Sequence, residues 1–271
     1  MDLESSEIRK TVMAFNGKVV LITGASSGIG AATAERFAEL GASLALTGRN
    51  KANLEKVASK CKSSNGLDPF LFIGDLTIEE DVKNLVKGAI DHYKRLDVLV
   101  NNAGIFETNS IETNNSLATY DKILNTNLRS VYHLTTLLVP HLIEAKGSIV
   151  NVSSVAGYEP HPTGLTYCMS KAALDHFTRC IAVELAPKGV RVNAVNPALI
   201  VTNIFTLDGI DEEAFMELFE VRYKPITPLE RPGSAEEVAK SIVFLASDDA
   251  SYTIGITMPI TGGYPFYLAS T

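Results

Sequence analysis

The chain has 271 residues, 46% hydrophobic and 20% charged, which is enough apolar material for a substantial core and argues against general disorder. A net charge of −7 argues against nucleic acid or an anionic membrane surface as the main partner, though not against small anions, which respond to local charge. Cys61, Cys168 and Cys180 are far apart with no CxxC pair, and the five histidines are scattered, so the expectation is free thiols in a reducing compartment and no metal site.

Residues 1–16 contain neither an apolar signal core nor a polybasic run and are expected to form a flexible tail. No stretch reaches the roughly 18 apolar residues of a membrane span, which leaves a soluble, cytoplasmic protein as the default expectation. From residue 18 the pattern alternates. KVVLIT (18–23) reads as a strand, and the segment from Gly28 has apolar residues at helical spacing until Gly41. SLALT (43–47) is a second strand, followed by a helix capped by Asn50. PFLFIG (69–74) leads through Asp75, Leu76 and Thr77 into another helix, and DVLVNNAG (97–104) is a strand ending in a loop. One long helical region is expected over 113–145, then a strand at 148–154, a helix at 166–186 and a strand at 190–197. Residues 210–223 read as helical, and Ser234 with Glu237 forms a capping box for the next helix. A last strand is expected within TIGITMPITGG (253–263).

Strands that are apolar throughout and separated by helices imply a parallel sheet covered on both faces. The expected architecture is a single α/β domain over 17–271, doubly wound, of about seven parallel strands. Ligands in such sheets bind at the carboxyl ends of the strands, here Thr23, Gly48, Gly74, Asn101, Ser154 and Pro197.

The first of these ends carries TGASSGIG (23–30) between strand and helix. That is the context of a dinucleotide site: Gly24 for a tight turn, Gly28 for close approach of a pyrophosphate, Gly30 for helix–strand packing, and free N–H groups at the helix start. Its GxxxGxG spacing differs from the usual GxGxxG, and by itself the stretch fits a structural turn as well. Further along stand NNAG (101–104), an Asn in NTNLRS (125–130), the Ser of NVSS (151–154), YCMSK (167–171) and RVNAVNP (191–197). Together, in this order, these motifs resemble the short-chain dehydrogenase/reductase family in its shorter branch, over about residues 18–263.

The resemblance implies an oxidoreductase that moves hydride between a nicotinamide cofactor and a carbonyl or secondary alcohol. It implies that Tyr167 is the general acid and base, that Lys171 lowers its pKa and binds the nicotinamide ribose, that Ser154 holds the substrate oxygen, and that Asn127 positions a water of a proton relay. Independently of the family, Tyr167 and Lys171 are four apart and share one helix face, and a neighbouring ammonium favours a phenolate. The cofactor would lie on Gly24, Ser26, Ser27, Gly28, Ile29 and Gly30, with Asp75 and Leu76 at the adenine and Asn102, Ala103 and Gly104 at its ribose. Pro197 and Thr202 would flank the nicotinamide. Asp75 also reads as a helix N-cap. The family's Pro-Gly after the sixth strand is Pro197-Ala198 here, which puts the path of the loop before Thr202 in question.

At the end of the second strand, NAD-binding relatives carry an acidic residue; here Gly48 is followed by Arg49, which can fork two hydrogen bonds to a 2′-phosphate. NADP(H) is therefore expected over NAD, although the turn lacks a second basic residue. The substrate wall is expected from residues 105–110, 155–165 and 199–223. Phe106, Tyr158, Leu199, Ile204, Phe205 and Met216 suggest an apolar pocket, and no arginine is evident for a substrate carboxylate. The resemblance further implies a homotetramer packed through the helices of 113–145 and 166–186. The rival reading is a catalytically silent NADP-binding sensor or structural protein.

Overall fold

The computed structural model describes residues 14–113, 116–202, 204 and 211–264. Its strands are β1 (Val19–Thr23), β2 (Ser43–Gly48), β3 (Phe70–Ile73), β4 (Val98–Asn101), β5 (Ser148–Val152), β6 (Arg191–Pro197) and β7 (Thr257–Ile260). They form one all-parallel sheet in the order β3-β2-β1-β4-β5-β6-β7. The helices are α1 (Gly28–Glu39), α2 (Lys51–Asn65), α3 (Glu79–Tyr93), α4 (Leu117–Leu124), α5 (Ser130–Ala145), α6 (Leu165–Leu185), α7 (Glu212–Leu218) and α8 (Ala235–Ala246). This is the doubly wound α/β arrangement expected from the alternation of strand and helix. None of the described helices is long and apolar enough to cross a membrane.

The period-2 geometry of a strand splits β1 between two cores. Val20 and Ile22 face the layer of α1, α2 and α8, with Phe37, Leu54 and Ile242. Val19 and Leu21 face the layer of α3, α5 and α6, with Leu85, Leu138 and Ala182. Both faces are therefore buried, and each fully buried Leu or Ile stabilises the fold by about 1.5–3 kcal/mol. The sheet changes direction of winding at β1, flanked by β2 on one side and β4 on the other, and this switch point opens a crevice at the carboxyl ends.

Local chemistry sets the helix ends. Asn50 Oδ1 accepts from Asn53 N at 3.0 Å, and α2 stops at Gly66, which is left-handed (φ 76°). Ser234 and Glu237 form the full capping box expected for α8.

Three expectations need adjusting. The single helix expected over 113–145 is α4 and α5 joined by a π-helical turn, Asn125–Arg129. The bulge centres on Asn127, whose side chain is bonded to both the N–H and the C=O of Ile105. β4 ends at Asn101 as expected, because Asn102 N and Ala103 N both turn to donate to Thr23 Oγ1 at 2.9 Å. Within 210–223 the regular helix is short and passes into a π turn at Phe219–Tyr223. The tail expected over 1–16 ends sooner: residues 1–13 lie outside the described residues, but Phe15 is buried with its ring edge-on to Phe37, centroids 4.8 Å apart.

Candidate active site

A cavity of about 650 Å³ follows the carboxyl edge of the sheet, within the usual range for ligand sites. At one end it is lined by Gly48, Arg49, Asn50, Asp75 and Leu76; it passes Gly24, Ser26, Ser27, Gly28 and Ile29, then Asn102, Ala103 and Gly104. It reaches Ser154, Tyr167 and Lys171, with Pro197 and Thr202 alongside. Every cofactor-site residue expected from the sequence lines it except Gly30, and the catalytic candidate Asn127 lies behind its wall.

Gly30 explains its own absence. A Cβ there would lie 2.3 Å from the Gly24 carbonyl oxygen and 2.5 Å from Asn102 Nδ2, so the position admits no side chain. Asn102 is the splint of the turn, donating from Nδ2 to the carbonyls of Thr23 (2.8 Å) and Gly24 (3.2 Å). Gly24 and Gly28 take φ of 64° and 53°, which an L side chain rarely adopts. A Cβ on Gly28 would press on Thr202 at 3.3 Å, so the turn and the start of the 199–223 segment touch.

The start of α1 fits an anion. Asn50, Ser116, Asp211 and Ser234 cap their helices with side-chain bonds, whereas Ser27 caps α1 with none, and the first turn holds no acid. Uncapped N–H groups and the positive helix end therefore face the cavity beside glycines that leave the backbone bare. Arg49 is exposed on the cavity wall and forms no ion pair among the described residues. A Cβ on Gly48 would meet Ser26 Oγ at 3.1 Å, so no acidic side chain enters at 48 unless Ser26 moves.

Asp75 is not an N-cap. Its Oδ1 accepts from Thr77 N (2.9 Å) and Thr77 Oγ1 (2.8 Å), closing a turn, and α3 begins after Ile78. Ala198, in place of the family glycine, keeps out of the left-handed region and donates to Ile260 O at 3.1 Å, so the loop toward Thr202 stays tied to β7.

Tyr167 and Lys171 project from the first turns of α6. The Tyr167 ring packs edge-on against Phe106 at 5.2 Å, and Lys171 Nζ stands 5.6 Å from the ring centroid. Nζ donates to Val152 O at 2.8 Å at the end of β5. Burial pushes the Tyr167 phenol up to about 12, against the pull of a hydrogen bond with Ser154. Burial pushes the Lys171 ammonium down to about 8, and Asp175 offsets part of this. The expectation that Lys171 lowers the Tyr167 pKa is thus not met by the chain alone: desolvation dominates both groups. Ser154 Oγ donates to Pro197 O at 3.4 Å and accepts from Ala156 N at 3.2 Å.

Asn127 is 1% exposed, and both its amide N–H groups are spent, on Ile105 O (2.9 Å) and Ser170 Oγ (3.1 Å). Among the described residues no group of three His, Cys, Asp or Glu could hold a metal.

Beyond Tyr167 the cavity is lined by Ile105, Phe106, Val155, Leu199, Ile200, Ile204, Phe215 and Leu218. Leu199, Ile204 and Phe106 are there as expected; Tyr158 and Met216 do not line it, and Phe205 lies outside the described residues. The outer end adds polar groups to the mainly apolar wall expected. Glu159, His161, Arg222, Tyr223 and Tyr264 line it, with Tyr223 Oη 3.5 Å from His161 Nε2. Burial, then the charge of Arg222, holds His161 below its ordinary pKa. Arg222 was invisible to spacing because only the fold brings the π turn after α7 and the β5–α6 loop together. Asp175 could have been found: it continues the i, i+4 series of Tyr167 and Lys171.

A model of the enoyl-(acyl carrier protein) reductase family matches residues 24–265. The 3-oxoacyl-[acyl-carrier-protein] reductase FabG of Thermotoga maritima is 40% identical over 253 residues, 93% of this chain and 99% of its own. Glucose 1-dehydrogenase of Gluconobacter oxydans is 39% identical over 258 residues, 93% and 94% of the two chains. Among solved structures, 3-ketoacyl-(acyl-carrier-protein) reductase of Brucella melitensis complexed with NADH superposes with a TM-score of 0.82 at 32% identity, covering 92% of this chain and 98% of that one. A putative NAD(P)-dependent gluconate 5-dehydrogenase of Beutenbergia cavernae with bound NADP gives 0.84 at 30% identity, covering 94% and 100%.

Proposed function

Since this chain belongs to the short-chain dehydrogenase/reductase family and is a nicotinamide-dependent oxidoreductase of alcohols and carbonyls, we propose that it uses NADP(H) and that Tyr167 is its general acid and base. The observation that carries the reading is the convergence of Ser154, Tyr167 and Lys171 on the cavity that also holds the glycine turn.

The nicotinamide supplies or accepts the hydride. Ser154 Oγ and Tyr167 Oη hold the substrate oxygen, and Tyr167 gives up its phenolic proton as charge develops there. Lys171 supplies the positive charge that makes this loss feasible from a phenol so deeply buried. The amide donors of Asn127 being spent, it acts through the backbone of its π turn. The N-terminus of α1 would hold the cofactor's phosphates, and Asp75, Leu76 and residues 102–104 would hold its adenosine end.

Arg49 favours a 2′-phosphate because it has no ion-pair partner among the described residues and no carboxylate stands at Gly48. NAD is the second reading, favoured by the relative holding NADH and by Ser26 and Ser27, where a second base would help NADP. A carbonyl with an apolar body suits the inner wall, with a polar end toward Arg222 and Tyr223. Exposed Tyr132, Met169 and Val183 on α5 and α6 support a homotetramer packed through these helices.

The test is NADPH oxidation with ketones, steroids, retinal and acetoacetyl thioesters, with Tyr167→Phe as control. Turnover by the wild type, lost in Tyr167→Phe with NADPH binding retained, is the expected result. Tight NADPH binding with no turnover in either direction would establish the sensor instead.

A further inference from the structure

The face of α6 that carries Tyr167 and Lys171 continues one turn further to Asp175, a carboxylate 4% exposed. No ion pair joins it to any described residue, and its Oδ1 has no hydrogen-bond partner among them. Burying a charge without an ion partner costs stability, and an asparagine or a small apolar residue would fill the space more cheaply.

What the carboxylate touches is the catalytic scaffold. Its Oδ2 accepts from Asn196 Nδ2 at 3.0 Å, and the same amide donates to Ser154 O at 2.8 Å. Ser153 Oγ donates to Lys171 O at 3.3 Å, tying the end of β5 to the turn of α6 between Lys171 and Asp175. A Cβ on Gly157 would lie 2.4 Å from Asp175 Oδ2, so the turn following Ser154 rests directly on it. We propose that Asp175 is a positioning residue of the reaction: the buried counter-charge that keeps Lys171 an ammonium and, through Asn196, fixes the strand end bearing Ser154. The inference rests on the catalytic roles given above to Ser154, Tyr167 and Lys171.

The charges around the pair are few. Among the described residues Asp175 is the one group that raises the Lys171 pKa; burial raises the Asp175 pKa in turn, opposed by Arg179, a turn further along α6, and by Lys171. Tyr158, above them on the turn after Ser154, feels Asp175. The ends of β5 and β6 contribute neutral Ser153, Ser154 and Asn196, and Gly104 and Asn127 bound Lys171 on the remaining side.

The experiment compares wild type, Asp175→Asn and Asp175→Ser. Asn keeps the size and an acceptor for Asn196 while removing the charge. The titration of Lys171, followed by NMR on isotope-labelled lysine, needs no substrate; its midpoint is expected to fall by about one pH unit in both variants. The alkaline limb of carbonyl reduction is expected to move down equally, giving roughly fivefold slower turnover near pH 8 and approaching tenfold above pH 9, with the melting temperature unchanged or higher. An unmoved Lys171 midpoint overturns the proposal, as does a uniform loss of activity at every pH with a lower melting temperature. A wild type that reduces no carbonyl refutes the assigned function instead, and the NMR titration still decides the role of Asp175.

Discussion

Lys171→Met should make the protein inactive and more stable. The ammonium is buried and held at about 8 rather than its ordinary 10.5. That depression of about 2.5 units corresponds to about 3 kcal/mol of destabilisation near neutral pH, at 1.36 kcal/mol per unit. The sign follows from proton counting: between the folded and unfolded values the unfolded chain binds more protons, so stability rises with pH through that window. Near pH 9.5 about 2 kcal/mol of the cost has been recovered. Methionine keeps the unbranched apolar stem but leaves Val152 O without its donor, 2.8 Å away, at a cost of about 1–2 kcal/mol. The net expectation is a gain of about 1–2 kcal/mol near pH 7, shrinking to nothing or reversing near pH 9.5. Denaturant unfolding of both proteins at the two pH values measures this. Cys61, which burial pushes up to about 12, titrates in both and cancels in the difference. A variant less stable at neutral pH, or a difference that does not change with pH, would refute the argument that desolvation dominates Lys171.

At the other end of the cavity, Arg49→Asp replaces a guanidinium with a carboxylate; the ratio of kcat/KM for NADP over NAD should fall by about 100-fold or more. Unchanged kinetics with both cofactors would remove Arg49 from the cofactor site. Arg222→Ala should raise the His161 pKa, since Arg222 is one of the two causes that lower it. Following the His161 ring protons by NMR tests this. The same variant should lose kcat/KM for carboxylate-bearing ketones while keeping it for neutral ones, and equal losses for both would mean that Arg222 does not face the substrate.

The inner strands were legible because both faces are buried, leaving apolar runs such as VVLI and VLV. The glycine turn and the Tyr167–Lys171 pair were legible because helix spacing and positive φ constrain residue type locally. What stayed hidden was tertiary. The break at Asn127 has no periodic signature, since its cause is a pair of bonds to Ile105. Asp75 has the composition of a cap, but the cap position falls at Ile78. Arg222 meets His161 only after the chain folds, and the sign of the Tyr167 shift depends on burial, which spacing does not reveal.

The order of the sheet also distributes the protein's properties along its edge. On the proposed function, the choice of reductant would belong to the end of β2, proton handling to β5 and α6, and the outer substrate wall to the chain after β6. Each trait sits on a different strand, and no described ion pair or side-chain hydrogen bond joins Arg49, Tyr167 and Arg222 to one another. Such a layout lets one trait drift under selection, or be exchanged by an engineer, while the others persist. The glycine turn is the exception: residues from β1, β4 and the segment after β6 close on one another there within van der Waals distance, so it alone has to be inherited whole.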